Sequence, residues 1–214
     1  MSKGKMNNVK KTIGWCDFTV NPIKGLCKGG CSYCYAINMY KRFPKRLDPT
    51  IRFIPDVIDE AAKLKKPSKI FICSTHDIMG DWIPDEWIET IIDKVKKYPQ
   101  HTFQFLSKYA TRYHKYIFPS NCWLGETCTK RVVRSTPVTG HTNYISFEPL
   151  HGQAFLQAGY DWIIIGAQTN PYVPPKRDWI EHLISWAGVF GIPIFMKSNL
   201  EKVWPDKLIQ EFPQ

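Results

Sequence analysis

Trp162–Ala167 reads WIIIGA, an aromatic residue and three β-branched residues with nothing polar between them. A strand with one face in water alternates apolar and polar side chains. An unbroken run is the mark of a strand covered on both faces, as in parallel sheets flanked by helices. The run is also far shorter than the ~20 residues a membrane span needs.

Working outward, the same kind of run recurs along the chain: TIGWCDF (Thr12–Phe18), KIFICS (Lys69–Ser74), TFQFLS (Thr102–Ser107), CWLGET (Cys122–Thr127), YISFEP (Tyr144–Pro149) and IPIFMK (Ile192–Lys197). Between the runs lie IPDVIDEAAKLKK, PDEWIETIIDKVKKYP and RDWIEHLISWAGVFG, whose apolar residues fall at helical spacing. Two of these open on Pro-Asp, a helix start signal, and the third ends at Gly191, a stop signal. Strands alternating with helices predict an α/β protein, either a doubly wound open sheet or an incomplete barrel. The polar residues Ser74, Lys108, Glu126, Glu148 and Gln168 each fall at or just past the carboxyl end of an expected strand. Barrel-like α/β folds carry their site at that end, so the expectation is a partial barrel with those residues at its mouth.

With 214 residues, 43% of them hydrophobic and 14% aromatic, a single well-buried domain is expected. Its parts would be a basic tail over 1–11, a core over 12–200 and an extension over 201–214. The N-terminal MSKGKMNNVKK has no apolar signal core, which leads to the expectation of a cytoplasmic protein with no membrane partner. A formal charge of +10 favours polyanionic partners. From Lys108 to Arg134, the cations Lys108, Arg112, His114, Lys115, Lys130, Arg131 and Arg134 interleave with Tyr109, Tyr113 and Tyr116. That pattern suits a phosphate backbone with stacked bases, hence a nucleic acid or nucleotide substrate.

Seven cysteines leave one over in any full disulfide scheme, so reduced thiols are expected. Three of them, Cys27, Cys31 and Cys34, crowd into KGLCKGGCSYCYA (Lys24–Ala36), among glycines that let a loop wrap a bulky group. Closed zinc sites use four ligands, commonly as paired knuckles. No second knuckle is present: Cys122 and Cys128 flank one strand, and Cys16 and Cys73 sit in apolar runs where a core cysteine is the commoner reading. Three thiolates on a four-iron cluster instead leave one iron open to a substrate or cofactor.

The spacing Cys27-x3-Cys31-x2-Cys34, with Tyr33 immediately before the last cysteine, resembles the cluster motif of the radical S-adenosylmethionine (SAM) superfamily. Block by block, from TVNPIKGLCKGGCSYCYA through FICSTHDIMGDWIP to IPIFMKSNL, the chain is similar to a phage-associated radical-SAM-like family of unknown function. The resemblance implies a partial (β/α)6 barrel of the TIM type and a [4Fe–4S] cluster on the three cysteines. It further implies SAM on the open iron, an electron donor of the flavodoxin or ferredoxin type, and cleavage of SAM to methionine and a 5′-deoxyadenosyl radical. Where such relatives carry Gly-Gly-Glu after the sixth strand this chain has Gly166-Ala167-Gln168, and CSTHD replaces the Gly-Gly-Glu common after the second.

A SAM site needs acceptors for an ammonium, a carboxylate near the ribose and an apolar slot for adenine. Tyr33 beside the cluster, Ser74, Thr75 and Asp77 near the methionyl amino group, Glu126 near the ribose, Ile165 and Gly166 beside adenine, and Gln168 after them are the candidates. Lys108 and Glu148, costly to bury alone, are the candidate catalytic residues, paired with each other or with SAM and substrate; Lys197 is a third charged candidate. NPYVPPKRDW is a candidate closing element. The alternatives are the same chemistry on a small metabolite or protein, and a non-enzymatic binding protein whose metal site is closed by Cys16, His76 or Cys128.

Overall fold

A computed structural model describes residues 5–129, 137–156 and 158–214. The chain is an α/β protein that divides into two compact units, Met1–Trp123 and Leu124–Gln214. Among the described residues no helix is long and apolar enough to cross a membrane.

The first unit contains β1 (Asn7–Asn8), β2 (Phe18–Val20), β3 (Ile23–Lys24), α1 (Tyr35–Arg42), β4 (Arg52–Phe53), β5 (Lys69–Ile72), α2 (Asp85–Lys96) and β6 (Thr102–Ser107). β2, β5 and β6 pair in parallel, with Phe18 opposite Ile70 and Ile70 opposite Phe103, while β1 adds antiparallel to β2. β3 and β4 form a separate two-stranded pair. The first strand begins later than TIGWCDF suggests. Thr12 and Ile13 donate their N–H groups back to Val9 and Gly14 turns at φ +84°, so this stretch is a turn that buries Trp15 and Cys16.

Helix α2 forms where the pattern predicts. Ile88, Ile91, Ile92 and Val95 line its buried face, Asp85 and Glu86 sit in the first turn, and Lys94 and Lys96 sit in the last, each charge matching the helix dipole. It packs against Pro55–Lys63, which winds as a 3₁₀ segment rather than the α-helix its periodicity suggests. The tighter winding still buries Val57, Ile58 and Ala61. Lys94 ties the two elements together, reaching Asp56 at 2.9 Å and Asp59 at 2.7 Å.

β7 (Cys122–Thr127) crosses from one unit to the next. In the second unit follow β8 (Thr142–Phe147), β9 (Trp162–Ile165), β10 (Gln168–Thr169), β11 (Tyr172–Val173), α3 (Arg177–Phe190) and β12 (Ile194–Met196). β8, β9 and β12 are parallel, with β9 central. WIIIGA is thus the covered strand its composition indicates, and every residue of β9 is buried. Ile163 and Ile165 pack with Ile180, Leu183 and Ala187 of α3. α3 stops where Gly191 takes φ +63° and its N–H returns to Ala187 and Gly188. The stretch NPYVPPKRDW contributes the turn and second strand of the β10–β11 hairpin and then the start of α3.

Candidate functional site

In the first unit the parallel strands end together, and the polar residues that follow them interlock. Asn21, 4% exposed after β2, is the hub, because its Oδ1 accepts from Ser74 Oγ (3.1 Å), Thr75 N–H (3.3 Å) and Thr75 Oγ1 (3.3 Å). Asp77 makes the next link, accepting from the Ser107 hydroxyl, the Met79 N–H at 3.2 Å and the Lys108 N–H at 2.9 Å. Three of about four lone-pair sites on its carboxylate are thereby filled. The loops after β2, β5 and β6 are held in one arrangement.

The cysteine loop leaves this frame after β3. Gly25 is at φ +100° with its α-carbon so close to Thr50 that a Cβ would lie 2.3 Å from the Thr50 carbonyl oxygen, and Leu26 N–H donates to Pro49. Cys27, Cys31 and Cys34 are half-buried thiols on one turn of chain. A Cβ on Gly29 would lie 3.5 Å from Cys27 Sγ and 3.9 Å from Cys31 Sγ, so both sulfurs border the same glycine. Cys34 N–H donates to the Cys31 carbonyl at 3.1 Å, and Cys34 stands at the N-terminal cap of α1, where the helix favours negative charge.

Cys27 Sγ accepts two backbone N–H bonds, from Gly29 at 3.4 Å and from Asp77 at 3.5 Å. Burial holds the Cys27 thiol above its ordinary pKa and these two donors partly offset that, an arrangement that rewards a thiolate once a metal takes the proton's place. Cys73 differs: it is buried at φ 60° and its thiol is pushed up to about 12 by burial. Cys16 and Cys122 are likewise core residues, 1% and 0% exposed. Among the described residues no group of three His, Cys, Asp or Glu side chains is drawn together around one metal ion. A zinc ion asks its sulfurs to converge within about 2.3 Å of one point. The thiolates of an iron–sulfur cluster bind separate irons and need no common point.

Aromatic groups wall the loop. The Trp82 ring lies against Gly29, its indole N–H donates to His76 Nε2 at 2.9 Å, and Tyr109 meets it edge-on at 5.4 Å. Lys108 Nζ lies 5.8 Å from the centre of the Tyr33 ring, and Tyr35 Oη donates to the Ser74 carbonyl at 2.9 Å. The buried Gln104 amide on β6 has no hydrogen-bond partner among the described residues.

In the second unit Glu148, just past β8, forms an ion pair with Lys197, just past β12. Gly166 lies under the pair: a Cβ there would sit 3.1 Å from Lys197 Cδ and 3.2 Å from Glu148 Cδ. Gln168 Oε1 is 2.9 Å from His151 Nε2, and Gln168 donates to the Pro171 carbonyl. Strand alternation separates the remaining candidates from these. Ile165 is fully buried on the face of β9 that packs on α3, and Glu126, 3% exposed, accepts from Tyr160 Oη at 3.1 Å, a tyrosine of that same core.

In the basic stretch after β6, Arg112 is spent inside the fold. Arg112 donates to the Gly80 and Ile83 carbonyls, both at 2.7 Å, and pairs with Asp85, which Tyr116 also contacts. Tyr113 is buried against Phe118. His114 and Lys115 are exposed, and Lys130, Arg131 and Arg134 lie outside the described residues. Asn21 and Trp82 are the residues that sequence reasoning passed over. The one available signal was a lone Asn inside the apolar TVNPI.

Fold and site together define an α/β protein whose parallel strands end at a loop of three accessible thiols. It belongs to the family described as "Protein of unknown function (DUF5131)", whose model matches residues 10–206. No curated protein and no solved structure matches the chain.

Proposed function

We propose that the chain is a radical SAM enzyme with a partial (β/α)6 barrel, holding a [4Fe–4S] cluster on Cys27, Cys31 and Cys34 with SAM beside it. The observation that carries this reading is the thiol loop itself: three half-buried thiols leave the carboxyl ends of parallel strands, and one sulfur already receives two backbone N–H bonds. Such bonds to sulfur are among the protein's levers on a cluster's potential. When bound and reduced by a flavodoxin- or ferredoxin-type donor, the cluster supplies the electron that cleaves SAM to methionine and a 5′-deoxyadenosyl radical.

The chain's own residues would prepare that event. Ser74 and Thr75 spend their hydroxyl protons on Asn21, so each turns lone pairs outward as an acceptor for the methionyl ammonium. Asp77 holds the Cys27 sulfur and the end of β6 in register through its N–H and carboxylate. Trp82, backed by Tyr109, covers the loop at Gly29. Lys108, set over Tyr33, offers a movable positive charge near the loop, and Glu148, a carboxylate ion-paired with Lys197 in the second unit, is the other candidate catalytic residue. Glu126 and Ile165, taken up by the α3 core, have no part in this assignment.

Anaerobic reconstitution with iron and sulfide tests the proposal. About four irons per chain, and a change in the cluster's electron paramagnetic resonance when SAM is added, are expected. Each Cys→Ala substitution at positions 27, 31 and 34 should abolish both. A triple Ala variant that keeps its iron would overturn the assignment, and a cluster whose spectrum ignores SAM would overturn it in favour of a closed metal site in a binding protein.

A further inference from the structure

Residues 24–53 carry seven basic residues against one acid, Asp48, and so hold more than half of the chain's net charge of +10. Asp48 is occupied by Arg52 at 3.1 Å. Among the described residues Lys28, Lys41, Lys45 and Arg46 make no ion pair. Lys28 and every residue from Lys41 to Arg46 are exposed. The cations share this surface with large apolar side chains left in water: Tyr35 is 45% exposed, Met39 38% and Phe43 39%. Tyr35 and Met39, four residues apart, lie on one face of α1, and Phe43 follows at its end with the Arg42 guanidinium 5.3 Å from its ring centre.

We infer that α1 and the turn after it, residues 35–46, bind single-stranded nucleic acid and hold it beside the cysteine loop from which α1 springs. Cations that follow a phosphate backbone, with aromatic faces between them for bases, are the two components of single-strand recognition. Lys41, Arg42, Lys45 and Arg46 supply the first and Tyr35 and Phe43 the second. A duplex keeps its base faces stacked and offers only groove edges and phosphates, which leaves the exposed rings without a role. An anionic bilayer would use the same cations but takes in a continuous apolar face, and here Asn38 and Arg42 interrupt the face that carries Tyr35 and Met39. That the strand is a substrate rests on the radical SAM reading; that it binds does not.

The experiment measures fluorescence anisotropy of a labelled single-stranded DNA of about 20 nucleotides, longer than the ~4–16 nucleotides a single-strand binding surface covers, on the reconstituted protein. Binding should tighten steeply as salt falls. Replacing Lys41, Arg42, Lys45 and Arg46 by Gln should lower the slope of log affinity against log salt by up to about 3 units. A charge-matched control, with Lys10, Lys11, Lys65 and Lys66 changed to Gln, should leave most of that slope. Phe43→Ala should weaken single-strand binding roughly 5- to 100-fold while leaving weak duplex binding unaltered.

Four outcomes overturn the inference: no binding at about 50 mM salt, equal losses from the two quadruple variants, duplex bound as tightly as single strand with Phe43→Ala silent, or vesicles of anionic phospholipid binding where the oligonucleotide does not. SAM cleavage measured in parallel keeps the two readings apart. Binding without cleavage removes the enzyme and leaves the surface, and cleavage without binding does the reverse.

Discussion

The cysteine loop of the first unit and the Glu148–Lys197 pair of the second are held in different ways. The loop has no regular structure between β3 and α1, and its shape comes from main-chain contacts: Gly25 against Thr50, Leu26 N–H on Pro49, Gly29 and Asp77 N–H groups on Cys27. The pair sits on side chains just past two regular strands, β8 and β12, above Gly166. Main-chain packing leaves no slack, whereas long side chains can swing. The loop should therefore be the more fragile of the two, and substitutions at comparable glycines measure by how much.

Gly25→Ala carries the largest expected effect. The new Cβ would meet backbone atoms of Thr50 and Ile51 at 2.3–2.7 Å, at a φ of +100° that L residues rarely adopt. Strain at such a φ alone costs about 1–3 kcal/mol, and the backbone clash adds to it. We expect urea unfolding to show a loss of at least ~3 kcal/mol and reconstituted iron to fall well below the wild-type level. A variant with wild-type stability and full iron would show that the loop does not depend on the Gly25 turn.

Lys197→Met tests the other side. It leaves Glu148 without its partner where the two side chains are only 24% and 16% exposed. Breaking a fully buried pair costs about 3–5 kcal/mol; water reaching this one reduces the expected loss to about 1–3 kcal/mol. The double variant Glu148→Gln with Lys197→Met should recover part of that loss, since no charge is then stranded. Iron loading should stay at the wild-type level in both. A loading defect as large as that of Gly25→Ala would erase the distinction between the two regions.

How far the sequence foretold each region follows from the same difference. β6 and β7 span the residues their apolar runs indicate, α2 starts at its Pro-Asp signal and α3 stops at its Gly signal, because side-chain pattern and secondary structure report on the same burial. α1 was illegible. It has no acidic residue in its first turn, no side-chain cap and only Ala36 buried, so neither a buried stripe nor a start signal marks it. The two-residue strands β3 and β4 are too short to show a period. Three thiols in eight positions were obvious at once, yet Asn21 and Trp82, which set the surroundings of those thiols, act through partners 53 and 6 residues away. Arg112 reads as a surface cation, but its partners are mostly main-chain carbonyls that no side-chain pattern reveals.

Gly166→Ala carries the smallest expected effect and sharpens the comparison most, because it repeats the substitution of Gly25 in the other setting. The backbone at Gly166 is not at positive φ, and the atoms a Cβ would meet belong to the Lys197 and Glu148 side chains, at 3.1 and 3.2 Å. A few tenths of an ångström of movement by two flexible chains accommodates the methyl group. Alanine also restricts the unfolded chain more than glycine does, a gain of about 0.4–1 kcal/mol wherever the native backbone accepts it. The two effects oppose each other, so the net change in unfolding free energy should lie within about 1 kcal/mol of zero. A loss matching that of Gly25→Ala would mean that Glu148 and Lys197 are held as rigidly as the main chain around the cysteines, and the contrast between the two regions would then have to be abandoned.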